Sequence, residues 1–387
     1  MEFLQLIETY RSEHASRERL FDEDGFVTAA SIRKRANYNQ LLHEAMGVLK
    51  SARGSRFGML RFEEAMNTQD FPLLMGDVLD RQLLGTYMEC PQTWQNYCRR
   101  AKVQDFRTVN RLAVDGAEGV LPSVGEQGDY LPQVVGETKY TYAVTKYGRT
   151  LNWSWESWIN DDLDALGSSS PARLARASRR SEEKFATGLF VDANGPHASL
   201  YTTGNANKVT SNPVLSITAL QTAWKVLGAM RDADNEPILI DVAELVVPPA
   251  LEIVAQNILN ATVVRSTATS GGATNNELEF ANWMRTRVRL SVNPYIPIVA
   301  SSANGDTSWF LFASPSVGRP ALEMGFLKGH EAPALFQKIS NQQRLGGSSS
   351  PIDGDFEKDA TAFKVRHVFG GGRMDPKTTV ASNGSGS

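Results

Sequence analysis

The chain has 387 residues, more than one small core can organise, which predicts two or three compact regions. Hydrophobic residues make up 41% and charged residues 21%, values of a folded chain rather than a disordered one. The formal net charge of −3 lacks the basic excess of a dedicated nucleic-acid binder, and no apolar run reaches the roughly 20 residues of a membrane span.

The start, Met1-Glu2-Phe3-Leu4, lacks the basic and apolar blocks of a signal peptide. Residues 1–55 read as helices, with Leu4, Ile7, Tyr10 and later Ile32, Tyr38, Leu41, Leu42, Ala45 and Leu49 at helical spacing around a turn at Asp22–Gly25. Apolar residues cluster from Phe62 to Arg100, where Pro72 and Pro91 limit helix length. Cys90 and Cys98 lie in that region. Two cysteines cannot staple a chain this long, and their surroundings predict buried structural thiols made in a reducing cytoplasm.

Phe106–Leu112 reads as a strand, followed by a tract rich in Gly and Pro. Residues 138–155 are almost entirely strand-formers and contain no proline. Unbroken, such a strand would extend on the order of 60 Å. A compact body of this length has a radius of gyration of roughly 21 Å. The run therefore predicts a two-stranded arm that leaves the body and lies on a neighbouring subunit, because isolated hairpins are marginal in water.

Ser168-Ser169-Ser170-Pro171 predicts a helix start, with serine at the cap and Pro171 at the first helical position, and a helix over about 171–191. Its charge (Arg173, Arg176, Arg179, Arg180, then Glu182 and Glu183) predicts a solvated or interfacial face. A second helix is expected over about 216–231, with Ile217, Leu220, Trp224 and Leu227 on one face. A strand unit over 237–248 and a helix over 249–259 follow, then short strands at Val288–Val292, Ile296–Ala300 and Trp309–Ala313. Gly346–Ser350 reads as a flexible loop, Phe363–Phe369 as a strand and Ser382–Ser387 as a loose tail. The order suits an α+β class, and no repeat at solenoid spacing appears.

Catalytic chemistry finds no anchor. His14, His43, His197, His330 and His367 are scattered without metal-ligand spacing, so no catalytic, cofactor or metal residue is expected. Asp161-Asp162 reads as charge near a helix N-terminus rather than an acid–base pair. Gly271-Gly272 and Gly370-Gly371-Gly372 read as turns, since no Lys-Ser/Thr follows as a phosphate loop requires.

Three stretches carry a resemblance. They are Val103-Gln-Asp-Phe-Arg107 leading to Tyr147-Gly-Arg-Thr-Leu-Asn-Trp-Ser-Trp-Glu-Ser-Trp-Ile-Asn-Asp-Asp162, then Glu244-Leu-Val-Val-Pro-Pro-Ala-Leu-Glu252, and Asp355-Phe-Glu-Lys-Asp359 with its following strand. In this order the chain resembles major capsid proteins of tailed bacteriophages, nearest the Mu-type major head subunits, whose fold is shared with encapsulins and the herpesvirus capsid floor. The resemblance implies an N-terminal arm over 1–104, an extended β-hairpin loop over 105–158, and a peripheral domain over 159–235 and 351–373 built on a long helix. It further implies an axial domain over 236–350 and a C-terminal tail over 374–387.

The implied function is a structural, non-enzymatic shell subunit. It would assemble with copies of itself as hexamers and pentamers in the host bacterial cytoplasm, with portal, scaffold and decoration proteins as partners. The virion would enclose double-stranded DNA held without sequence-specific contacts. An encapsulin-like compartment around enzyme cargo is the alternative, and a soluble enzyme without a motif is a second. Residues 1–55 would either be a built-in scaffold removed on maturation or stay to clamp neighbours. Some family members lock their shells with an isopeptide bond between a loop Lys and an Asn after the Phe-Glu-Lys turn, with a Glu as base. Here that Asn position is Asp359 and the strand Phe363–Phe369 has no Glu, which predicts an uncrosslinked shell. Its contacts would fall to Phe106, Tyr140, Tyr142, Trp153, Trp155, Arg173, Arg176 and Arg180.

Overall fold

A computed structural model describes residues 83–115, 121, 123–126, 136–154, 169–232, 234–268, 276–316, 318–338, 340–342 and 355–386. The expectations for residues 1–55, Asp161-Asp162, Gly271-Gly272 and the 346–350 loop fall outside them. Two units are present, each drawn from three separated stretches: Met1–Cys90, Tyr147–Ser178 and Ala332–His367 in the first, Pro91–Lys146, Arg179–Glu331 and Val368–Ser387 in the second. Helices and strands are mixed in the described elements, as the α+β class requires.

The second unit is built on a four-stranded sheet. Its strands are β7 (Ala243–Val247), β10 (Val288–Val292), β11 (Trp309–Ala313) and β15 (Thr379–Ser382), in the order β10-β7-β11-β15. β10 runs parallel to β7, and β11 is antiparallel to both β7 and β15. The runs Ala-Glu-Leu-Val-Val, apolar but for Glu244, and Trp-Phe-Leu-Phe-Ala are buried at every position, as strands covered on both faces require.

One face meets helices α2 (Ile217–Gly228) and α3 (Glu252–Asn260), with Leu220, Leu227, Ala255, Leu245, Trp309, Leu311 and Val380 in a shared core. Ser216 caps α2 by accepting the Ala219 N–H. Because side chains alternate along a strand, Phe310 and Phe312 point away from that core. They meet Phe190 edge-on at 4.8 and 5.2 Å, and Tyr97 stacks on Phe312 at 5.3 Å.

Also in the second unit, β1 (Arg99–Val103) runs parallel to β12 (Leu322–Leu327). β12 pairs antiparallel with the last residues of β14 (Ala360–Arg373), from Leu322↔Arg373 to Phe326↔Phe369. Two small hairpins complete the unit: β5 (Val191–Asp192) with β6 (Gly195–Pro196), and β8 (Val263–Ala268) with β9 (Asn276–Ala281).

In the first unit β13 (Ala334–Gln337) pairs with residues 363–366 of β14. The helical residues 83–89 supply Leu83 and Tyr87 to a core with Leu174, Ala175 and Val365. β4 (Val144–Ser154) pairs with β14 as well, and Gly148 on it lies against the Val365 carbonyl.

Several expectations are corrected. The run 237–248 yields a strand only from Ala243. Ile296–Ala300 is a single helical turn, Ile296–Val299, because Pro297 in its first turn fits a helix start and has no N–H for a ladder. Of the expected loose tail, residues 382–386 are described and are tied down. Ser382 ends the fully buried β15, and Gly386 bridges to Pro213.

Gly370-Gly371-Gly372 is not a turn but part of the last stretch of β14, paired with Gly325, Met324 and Glu323. A Cβ on Gly370 would collide with the Ala143 carbonyl oxygen, so glycine marks a close backbone approach. Gly370→Ala is expected to lower stability by about 1–3 kcal/mol or more, as overpacking does. Urea unfolding checks it, and a midpoint equal to wild type contradicts the close approach.

Candidate functional site

β2 (Val109–Asp115) and β3 (Gly136–Tyr142) pair antiparallel from Val109↔Tyr142 to Asp115↔Gly136. Among the described residues this ribbon joins no third strand. Seven residues extend about 23 Å. The single strand expected over 138–155 is thus two strands with a break at Ala143, and β4 leaves the ribbon to pair with β14. The break sits where Ala143 and Val144 cross Gly370.

The root of the ribbon converges on Glu323 of β12, whose side chain is only 1% exposed. Arg111 Nε donates to it at 2.7 Å, the Tyr142 hydroxyl donates at 2.6 Å, and Arg99 lies at 3.1 Å. A buried carboxylate is tolerable only when so paired. Tyr142 reaches it because Gly325 and Gly372 leave room for its ring. Val103, Val109, Tyr140, Val144, Leu327, Val368 and Met374 pack around Tyr142. Burial and the bond to Glu323 push the Tyr142 hydroxyl up to about 12, although Arg111 pulls it back.

The predicted contact residues separate. Phe106 is 53% exposed, and Leu112 on β2, which sequence reasoning did not single out, is 61% exposed. Tyr140 is half-buried against the ribbon root. Tyr142 is buried within its own chain. The Trp153 side chain and Trp155 lie outside the described residues.

Arg173, Arg176 and Arg180 are exposed on α1 (Ser169–Phe190), which starts two residues before Pro171. Glu182 and Glu183 overturn the expectation of a solvated pair, since both are buried. Glu183 accepts the Thr93 hydroxyl at 2.9 Å and the Thr93 and Trp94 N–H groups, satisfying backbone donors at the start of a 3-10 turn. Burial pushes its carboxyl up while those donors pull it down. Glu182 takes Arg179 at 3.0 Å and the Trp94 indole N–H at 3.3 Å. The partners lie some 90 residues away in sequence, so local patterning does not show them.

Among the described residues no group of three or more His, Cys, Asp or Glu side chains could hold a metal. Cys98 is buried and its thiol is pushed up by that burial, while Cys90 is half-exposed. His197 lies 2.6 Å from an Arg373 nitrogen, an arrangement that, with burial, lowers its basicity.

A family model described as phage capsid protein matches residues 137–382. No protein of curated function matches the chain in sequence. A solved structure from Mycobacterium phage Che8 is similar at 16% identity, over 72% of this chain and 85% of that one, with a TM-score of 0.41. The capsid structure of cyanophage P-SCSP1u is similar at 10% identity, over 75% and 87%, with a TM-score of 0.45. The holo-SrpI encapsulin complex from Synechococcus elongatus PCC 7942 is similar at 10% identity, over 74% and 85%, with a TM-score of 0.43.

Glu323→Gln is expected to cost roughly 2–3 kcal/mol, the scale of hydrogen bonds to a charged group, and to speed amide exchange in 109–115 and 136–142. Unchanged exchange there removes Glu323 from the ribbon root. The folded chain holds the Tyr142 proton more tightly than the unfolded chain does. Its contribution to stability is therefore complete below the ordinary tyrosine value of 10.0 and is lost as the pH climbs toward about 12. Ultraviolet titration of wild type against Tyr142→Phe should show one phenol ionising at that upper end. A difference curve centred near 10 contradicts it.

Proposed function

Because this chain belongs to the phage capsid protein family, we propose that its capsid shell role takes a specific form: the major subunit of an icosahedral head, assembled as hexamers and pentamers around double-stranded DNA. The observation that carries this reading is the family match over residues 137–382, which takes in β3, β4, α1 and the sheet of the second unit. The β2–β3 ribbon supports it physically. A two-stranded ribbon without a third strand is marginal alone, and a second copy of the chain would bury Phe106, Leu112 and the exposed side of Tyr140.

The role is structural, and its place is the virion. Assembly in the host cytoplasm, on a portal and scaffold and with decoration proteins outside, belongs to the proposal. So does the division into arm, extended loop, peripheral and axial domains. Stability then rests on non-covalent contacts. The strand Ala360–Arg373 contains no Glu to serve as a base, and Asp359 replaces the reactive Asn. Asp359 sits in the left-handed region at φ 44°, and its carboxylate accepts the Gln342 amide at 3.2 Å.

Full-length protein made in bacteria is expected to form closed shells or capsomers in negative stain. Purified shells should run as one monomer band on a denaturing gel. A strictly monomeric product under all assembly conditions overturns the shell reading, and a ladder of covalent multimers overturns the non-covalent one.

A further inference from the structure

The Glu182 and Glu183 carboxylates, which balance the charge of α1 in the sequence, are taken inside to bind Thr93, Trp94 and Arg179. The charges that α1 leaves exposed are Arg173, Arg176, Arg180 and Lys184, all cationic. At 3.6 residues per turn these positions fall within an arc of about 80° and run about 16 Å along one unbroken helix. Among the described residues none of the four has an ion-pair partner within 4 Å. Like charges at three- and four-residue spacing oppose helix formation, so the stripe is sustained by the buried side of α1 and not by its own surface.

We propose that this stripe is a contact for the phosphate backbone of double-stranded DNA. The net charge of −3 does not bear on this, because the local field near a surface is set by what that surface exposes. Three of the four cations are arginines, whose planar fork suits phosphate oxygens. No large hydrophobic side chain of α1 is exposed, so the stripe lacks the apolar or aromatic anchor around which protein–protein contacts form. A linear row of cations without an anchor suits a linear polyanion bound through charge alone, independent of sequence. The identity of the polyanion rests on the capsid reading; the cationic surface does not.

The test uses full-length protein and fluorescence anisotropy of two unrelated 30-base-pair duplexes across a salt series. Wild type should bind both duplexes alike. The variant carrying Arg173→Gln, Arg176→Gln, Arg180→Gln and Lys184→Gln should bind at least about tenfold more weakly at low salt. Its slope of log affinity against log salt should be shallower by about 0.9 for each phosphate that is no longer neutralised. Replacing the three arginines with lysine should keep most of the slope. All four side chains are exposed, and circular dichroism checks that the variants fold.

An unchanged slope and affinity overturn the proposal. So does displacement of the duplex by polyglutamate as effectively as by unlabelled duplex, which assigns the stripe to an acidic protein segment. Negative stain of the same samples separates the two readings: shells that form normally with unchanged DNA binding sink only the stripe, whereas wild type that never assembles sinks the capsid reading.

Discussion

At Gly370 the backbone of β14 comes so close to Ala143 and Val144 that no side chain fits between them. This crossing is where the long β-rich run changes partners, from β2 on one side of Ala143 to β14 on the other. Gly372 and Gly325 continue the same bare strip and give the Tyr142 ring its seat, which brings its hydroxyl to Glu323. Glu323 in turn collects Arg111 from the ribbon and Arg99 from β1. The seat of the ribbon's root within the second unit thus follows from a few missing side chains. Packing and ion pairing act together here, since the carboxylate is tolerable in the interior only because the glycines admit its partners.

A second internal arrangement shapes the surface. α1 turns two carboxylates inward, where they satisfy backbone donors at Thr93 and Trp94 and hold Arg179. Leaving such donors unpaired in the interior costs as much as a missing hydrogen bond, so these acids answer a need set by a distant turn. The outer face is then a residue of that need. What solvent meets on α1 is positive although the chain as a whole is slightly acidic.

What could be read from the chain alone was what depends on near neighbours. Val288–Val292 and Trp309–Ala313 appear as strands with the expected ends, because uninterrupted apolar runs between turn residues have few alternatives. α2 falls within the expected 216–231 span, since its apolar face repeats over near neighbours and its Ser216 cap is a contact over three residues. The failures are all non-local. Gly370-Gly371-Gly372 has the composition of a turn and serves a crossing more than 200 residues distant in sequence. Glu182 and Glu183 look solvated until Thr93 and Trp94 are beside them. Among the predicted contact residues, exposure separated Phe106 from Tyr142, a distinction no residue type carries.

The strand β15 has a bearing on how the protein is made. β11 is bordered by β7 on one side and by Thr379–Ser382 on the other. During translation β11 emerges with its second edge bare, and more than sixty residues, including the last stretch of the first unit, must be synthesised before the covering strand exists. At bacterial-scale elongation of about 5–20 residues per second, that interval lasts roughly 3–13 s. A nascent chain therefore carries its most apolar strand half-paired for several seconds, the kind of edge that recruits chaperones or neighbouring nascent chains. Ribosome spacing on the message and the order of synthesis thus enter the yield of shell protein alongside its final stability.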